Sequence, residues 1–198
     1  RAQLLGDSEN LYPVVTLVLY FGHDKPWNGP LSLKERLNIP KEFEPYVNDY
    51  KINLFQIAYL THERMLVNFT SVCYYNNKRK EGNGMAQKDT SEKILESYND
   101  VFSDIVNVLL FNGKQVLSAD ELEDQAPRSY YKADGKIREI ERDVAKRWKN
   151  GNIRVACIGF ENQTASDPNM PLRVMGYDGA EYRAQLLNDL SLIHISEP

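Results

Sequence analysis

The sequence predicts an α/β fold in which a mixed central sheet is flanked by helices. Two short runs, Leu11–Phe21 and Ile153–Gln163, are apolar on both faces, which is typical of strands buried between layers. A third stretch predicts a helix from Asp89, and its part from Val101 to Phe111 is apolar almost all round at helical spacing. With 198 residues the chain is long enough for one domain with a sizeable core. We expect both apolar runs to lie in one sheet, although they are far apart in sequence.

The run Ile153–Gln163 is the strand around which we expect the rest of the fold to be organised. The preceding Lys149–Asn152 is a turn pattern, so the strand begins directly after it. Glu161 and Gln163 share one face at its end, roughly 6.5–7 Å apart. An acid and an amide at the carboxyl end of a buried strand occupy a position where α/β proteins place chemistry.

The amino-terminal elements follow from composition and turn residues. Leu11–Phe21 is rich in β-branched and aromatic residues and predicts a strand. His23–Pro30 is a loop, because it contains Pro and an Asn-Gly pair. Leu31–Leu37 predicts a short helix with Ser32 as its N-cap, and Lys51–Leu60 predicts a second buried strand.

The helix predicted from Asp89 is capped by Thr90 or Ser91 and ends at Gly113. A polar stripe interrupts its apolar surface at spacings of three and four. The stripe faces either solvent or a polar site, and in the second case Asp100 or Asp104 would lean into a metal site. Its members are Asp100, Ser103, Asp104 and Asn107.

Two further helices are predicted in the second half. Lys136–Trp148 carries apolar residues at helical spacing. Pro171 suits the first turn of another helix, with Asn169 or Asp167 near its start. On that helix Arg173 and Tyr177 are four residues apart and therefore share a face.

Charge and cysteine content exclude several classes of protein. The net charge of −4 and the pI near 5.5 argue against a strong non-specific DNA binder. Cys73 and Cys157 form neither a disulfide framework nor a zinc-ligand pattern, so free thiols in a reducing cytoplasm are expected. The longest apolar run is too short for a membrane span, and no signal peptide is expected.

The run G-F-E-N-Q-T, followed by D-P-N-M-P-L-R-V-M-G-Y-D, resembles the core of the recombination-promoting nuclease family. These are transposase-like bacterial nucleases of the PD-(D/E)XK type. The resemblance covers Met85–Leu187 and, separately, Leu11 to about Leu60. It implies a restriction-endonuclease-like core and metal-dependent DNA cleavage in recombination or mobile elements. The sequence has E-x-Q where the superfamily has E-x-K.

The resemblance also implies the residues of a metal site. Glu161, the backbone carbonyl of Asn162 and Asp143 would hold Mg²⁺ or Mn²⁺, which prefer hard oxygen ligands. Bound Mg²⁺ can activate a water and polarise a phosphate. The predicted helix around Asp143 conflicts with the strand start that the superfamily expects, so Asp134 is the alternative second carboxylate.

The remaining implied roles concern substrate. Gln163 can orient a water but has no charge and no basic site. Arg173 is a candidate phosphate contact, and Tyr177 completes the R-x-x-x-Y pattern that the family shows. Without the resemblance, the residues favour a structural role for Glu161, as a strand-end carboxylate paired with Arg173 or with a backbone donor. Two functions therefore stay open: a DNA endonuclease, and a catalytically inactive remnant or binding module that keeps the fold.

The order of segments differs from the order expected for the family. R-A-Q-L-L stands at 1–5 and again at 183–187, which suggests two overlapping gene pieces joined in swapped order; the alternative is a genuinely permuted protein. The tail resembles translated sequencing-adapter text and is excluded from the predicted fold. The expected segments are 1–60 as the displaced C-terminal half, 61–84 as a junction, 85–187 as the N-terminal half and 188–198 as the tail.

Overall fold

The computed structural model describes residues 11–60, 93–125, 128–133, 136–151 and 153–194. Several sequence predictions fall outside these ranges. They are the junction Thr61–Gly84, the helix caps at Thr90 and Ser91, the alternative carboxylate Asp134, and residues 195–198 at the end of the tail.

A five-stranded mixed sheet forms the centre of the described structure, in the order β2-β1-β7-β6-β3. β1 is parallel to both β2 and β7, whereas β6 is antiparallel to β7 and to β3. The prediction that the two apolar runs share a sheet is confirmed, because Val14 pairs with Cys157 and Tyr20 pairs with Gln163. The strands are β1 (Val14–Tyr20), β2 (Asn53–Gln56), β3 (Leu122–Asp124), β4 (Arg128–Ala133), β5 (Lys136–Glu141), β6 (Val144–Asn150) and β7 (Ile153–Gln163).

The helices lie in the predicted segments, although the second begins at Asn99 rather than near Asp89. α1 (Leu33–Arg36) is capped by Ser32, whose hydroxyl accepts from the Glu35 N–H at 3.5 Å. α2 (Asn99–Phe111) follows a helical turn at 93–97 and ends in two left-handed residues, Asn112 at φ 53° and Gly113 at φ 81°. The third helix, α3 (Met170–His194), has Pro171 in its first turn. It continues through residues 188–194, which the sequence analysis excluded from the fold.

The helices cover opposite faces of the sheet, so β7 is buried on both sides. α2 packs on the face that carries Leu17 and Phe160, and the Phe102 ring stacks on Phe160 at 4.2 Å between centroids. α3 packs on the other face, where Val174 contacts the cluster around Val18. Because successive side chains of a strand point to opposite faces, Phe160 points towards α2 and the next residue, Glu161, points towards α3.

Buried polar contacts hold α3 against β1. Asp178 accepts from the Thr16 hydroxyl at 2.5 Å and also from the Tyr50 hydroxyl. Further along the helix, Gln185 Oε1 accepts from the Tyr12 N–H at 3.0 Å. Because these polar groups are buried, their loss would leave unsatisfied donors inside the protein. They fix the position of the helix that carries Arg173.

The predicted helix at Lys136–Trp148 is wrong. The segment forms β5, which pairs with β4 in a separate two-stranded sheet, and β6, which pairs with β7. The turn at Gly151 (φ 61°) joins β6 to β7 as a hairpin, so pairing with a buried strand overrides the helical spacing of the apolar residues. Asp143 consequently lies directly before a strand, which removes the conflict found in the sequence.

Two other predictions are corrected in part. Lys51–Leu60 is a strand only over β2, because Ile57–Tyr59 forms a 3₁₀ turn. The polar stripe of α2 is partly buried: Asn107 is inaccessible and its side chain bonds the backbone of Val116 and Leu117. Asn107 therefore fixes the loop that follows α2.

Candidate active site

Glu161 is a buried carboxylate near the end of β7, on the α3 side, and it is only 2% exposed. Its Oε1 atom lies 2.5 Å from Arg173 Nη2 and accepts from Gln163 Nε2 at 3.0 Å. Its Oε2 atom is also buried and has no partner at normal hydrogen-bond geometry among the described residues, although the Tyr177 hydroxyl is close enough to lower the pKa of Glu161. Glu161 and Gln163 therefore share a face, as the strand pattern predicted, and one carboxylate oxygen is left unsatisfied.

The surroundings of Glu161 shift its titration towards neutral pH. Burial raises its pKa to about 7, and the nearby negative charge of Asp143 adds to that rise. Arg173, Tyr177 and Gln163 act in the opposite direction but do not cancel the effect of burial. A carboxyl with a strongly perturbed pKa beside a second acid is a common feature of functional sites.

Asp143 lies beside Glu161 because β6 and β7 form a hairpin with these residues at its open end. The N–H of Asp143 donates to the Phe160 carbonyl at 3.2 Å, which extends the ladder by one residue. Asp143 Oδ2 accepts from the backbone N–H of Asn162 at 2.7 Å, and Oδ1 lies 2.6 Å from Lys93 Nζ. Asp143 and Glu161, the two carboxylates that the resemblance implies, therefore lie on neighbouring strands at the same end of the hairpin.

Asn162 faces the opposite side of the sheet from Glu161. Its Nδ2 donates to Glu96 Oε2 at 2.7 Å, and Glu96 is completely buried. Lys93 and Glu96 both belong to the helical turn 93–97, and the sequence analysis missed them. Their spacing of three residues was the available indication, because it places an acid and a base on one face of a helix.

Arg173 and Tyr177 lie on one face of α3, as their spacing predicted. Arg173 Nη1 is 3.0 Å from Asp167 Oδ2, and Nη2 donates to the Tyr177 hydroxyl at 3.1 Å. Burial raises the pKa of Tyr177 to about 12, with a smaller contribution from Glu161. The guanidinium of Arg173 is therefore held by Glu161, Asp167 and Tyr177, and the side chain is 40% exposed.

Asp100 and Asp104 are the two acids of the α2 polar stripe. Asp100 is exposed in the first turn, where its Oδ1 accepts from the Val101 N–H at 2.9 Å. Asp104 is half-buried one turn later. The strongest charge influences on Glu161 come from Arg173 and Asp143 rather than from α2. A role for either α2 carboxylate in metal binding stays a prediction.

The oxygen atoms at this site are ligands of the type that a hard cation binds. Glu161, Asp143 and the Asn162 carbonyl offer oxygen ligands of the type that Mg²⁺ and Mn²⁺ prefer. The unsatisfied, buried Glu161 Oε2 is the feature that a bound cation would account for. Within the described ranges, no three His, Cys, Asp or Glu residues converge as a ready-made metal cluster.

A cleft of about 520 Å³ opens at the carboxyl ends of β1 and β7, immediately after Gln163. Two loops form its walls: the one that follows β1 and the one at 164–166. Its polar lining includes His23, Lys25 and Ser166. The cleft follows β7 directly, but none of Glu161, Gln163, Asp143 and Arg173 lines it.

Comparison of the chain with protein-family models, with curated proteins and with solved structures gave no match. In the part of the chain that the structure describes, no helix is both long and apolar enough to cross a membrane.

Proposed function

We propose that this protein is a metal-dependent DNA endonuclease of the PD-(D/E)XK type, associated with recombination or mobile elements. The observation that carries the proposal is the meeting of Asp143 and Glu161 at the open end of one hairpin. Asp143 Oδ2 accepts from the backbone N–H of Asn162, the residue that follows Glu161, and Glu161 Oε2 is buried without a partner. Two carboxylates at the start of one strand and the end of its neighbour are what the resemblance implies.

The order of elements also supports the proposal. From residue 93 onward the chain runs through helix, three sheet strands and α3, with the β4–β5 hairpin inserted after β3. β1 then lies parallel to β7 within the same sheet, although it comes from the amino-terminal part of the chain. A segment displaced in sequence that completes the sheet is consistent with halves joined in swapped order.

The chain's own residues would perform separate tasks at the site. Glu161, Asp143 and the Asn162 carbonyl would hold Mg²⁺ or Mn²⁺, which would supply water activation and charge relief at the phosphate. Gln163 orients a water through its amide but cannot remove a proton. Arg173 presents a fixed guanidinium to a phosphate oxygen, because Tyr177 and Asp167 restrain it.

Cleavage of supercoiled plasmid DNA with Mg²⁺ or Mn²⁺ tests the proposal on the full chain. Glu161→Ala and Asp143→Ala should each abolish metal-dependent cleavage, whereas Gln163→Lys should retain or raise it by adding a cation beside the water. Asp134→Ala should abolish cleavage only if Asp134 is the second carboxylate. Undiminished cleavage by Glu161→Ala would exclude this site.

An inactive remnant or binding module is the second candidate, and one observation favours it. Both carboxylates are already paired with cations, Glu161 with Arg173 and Asp143 with Lys93. A rise in melting temperature with Mg²⁺ or Mn²⁺ would support the nuclease, because only a native-state binding site stabilises the fold. Absence of both cleavage and metal-induced stabilisation would support the remnant.

A further inference from the structure

Two cations approach the end of β7 from opposite layers of the fold. Arg173 reaches Glu161 from α3 on one face of the sheet. Lys93 reaches Asp143 from the helical turn 93–97, whose Glu96 bonds Asn162 on the other face. The end of β7 therefore has a guanidinium on one face of the sheet and an ammonium group on the other.

The two cations are similarly exposed, since 40% of the Arg173 side chain is accessible, and they differ in the chemistry of the charged group. Arg173 is shared among Glu161, Asp167 and Tyr177, which fixes its orientation. Lys93 has 46% of its side chain exposed, while that of Asp143 is only 14% exposed. A lysine ammonium on a flexible four-carbon stem can change partners without moving the backbone. Gln163, the other polar residue at the strand end, has no charge.

We propose that Lys93 contacts a phosphate of DNA bound at this site. When DNA binds, the Lys93 ammonium leaves Asp143 and pairs with a backbone phosphate. The inference rests on the proposed function, because it concerns the same strand end and the same substrate. In the free protein the ammonium neutralises Asp143, which lies beside the carboxyl of Glu161. In the complex the ammonium neutralises a phosphate oxygen instead.

The alternative is that Lys93 only stabilises Asp143 in the folded protein. The two roles differ in the salt dependence of DNA binding, because each phosphate contact by a cation adds about one to the slope of log affinity against log salt. A purely structural ion pair does not change that slope. The measurement also needs no divalent metal, so metal binding and cleavage do not enter it.

The experiment measures the fluorescence anisotropy of a fluorescein-labelled duplex oligonucleotide in EDTA, at salt concentrations from about 20 to about 200 mM, where such slopes are resolved. Lys93→Gln should weaken binding about tenfold and lower the slope by about one, and Lys93→Arg should keep both near wild type. The double substitution Lys93→Gln with Gln163→Lys should restore the slope, because it returns one cation to the end of β7. Lys149→Gln, which removes a cation paired with Glu123 elsewhere on β6, is the matched control for net charge and should leave the slope nearly unchanged.

Melting temperatures of the variants show whether each one folds, and Lys93→Met is a second neutral variant that keeps most of the stem. If wild type cleaves plasmid DNA but Lys93→Gln and Lys93→Met bind with an unchanged slope, the phosphate contact is wrong and the nuclease stands. If wild type neither binds DNA nor cleaves it, both are wrong.

Discussion

Replacing Glu161 with Gln tests which effect dominates at the buried carboxyl: the cost of burying its charge or the attraction of Arg173. The pKa of Glu161 rises from 4.5 to about 7 on folding. A raised pKa means that the folded state keeps its proton where the unfolded state has lost it. Wild-type stability should therefore fall as pH rises from about 4.5 to about 7, and stay lower above that window.

The size of the effect follows from the two pKa values. Between pH 5 and pH 8, ionisation of Glu161 should cost the folded wild type about 2–3 kcal/mol. The amide that Glu161→Gln introduces cannot ionise, so the free energy of unfolding of this variant relative to wild type should increase by about that amount over the same interval. At pH 5, the difference in the free energy of unfolding between the two proteins reports the replacement of a mostly neutral carboxyl by an amide. The change in that difference between pH 5 and pH 8 reports the effect of the negative charge.

The assay is urea denaturation of both proteins at pH 5 and pH 8 in EDTA. Glu42→Gln, on an exposed side chain, is the control for removal of one negative charge. If Glu161→Gln loses stability relative to wild type at pH 8, Arg173 stabilises the carboxylate by more than burial costs it. The carboxyl of Glu161 would then have a pKa below neutral pH.

Three further substitutions test the packing that positions the site, each by denaturant unfolding. Gly159→Ala should cost about 1–3 kcal/mol, because its Cβ would lie 2.8 Å from side-chain atoms of Arg142; an unchanged midpoint would show that Arg142 moves freely. Asn107→Ala should lower the free energy of unfolding by about 3 kcal/mol, because the N–H groups of Val116 and Leu117 lose their buried acceptor. A loss below about 1 kcal/mol would contradict this. Asp178→Ala should cost about 3 kcal/mol by leaving the Thr16 hydroxyl without its acceptor, and full stability would show that α3 is held by other contacts.

The sequence predicted the centre of the fold because its two principal strands are apolar on both faces. A strand of this type must lie between layers, so β1 and β7 could be placed in one sheet despite their separation. The end of α2 was predicted because Gly113 permits a left-handed turn. The start of β6 was missed because apolar residues spread over two strands matched a helical spacing, and pairing with β7 decided the outcome.

The candidate site was only partly predictable. Glu161 and Gln163 could be placed together because alternate residues of a strand share a face. Lys93 and Glu96 could not be linked to Asp143 and Asn162, since contacts between distant segments depend on how layers pack. Their polar spacing was visible in the sequence, but the partners of those side chains were not.

Direct measurement of cation binding tests the central claim that Asp143 and Glu161 form a metal site. Calorimetric titration of the full chain with Mn²⁺ should show binding that Glu161→Gln and Asp143→Asn each weaken by at least about tenfold, since loss of even a supporting contact has effects of that size. Glu42→Gln, on an exposed side chain that does not line the cleft, should bind like wild type. Absence of Mn²⁺ binding by wild type, or equal binding by Glu161→Gln, would contradict the account.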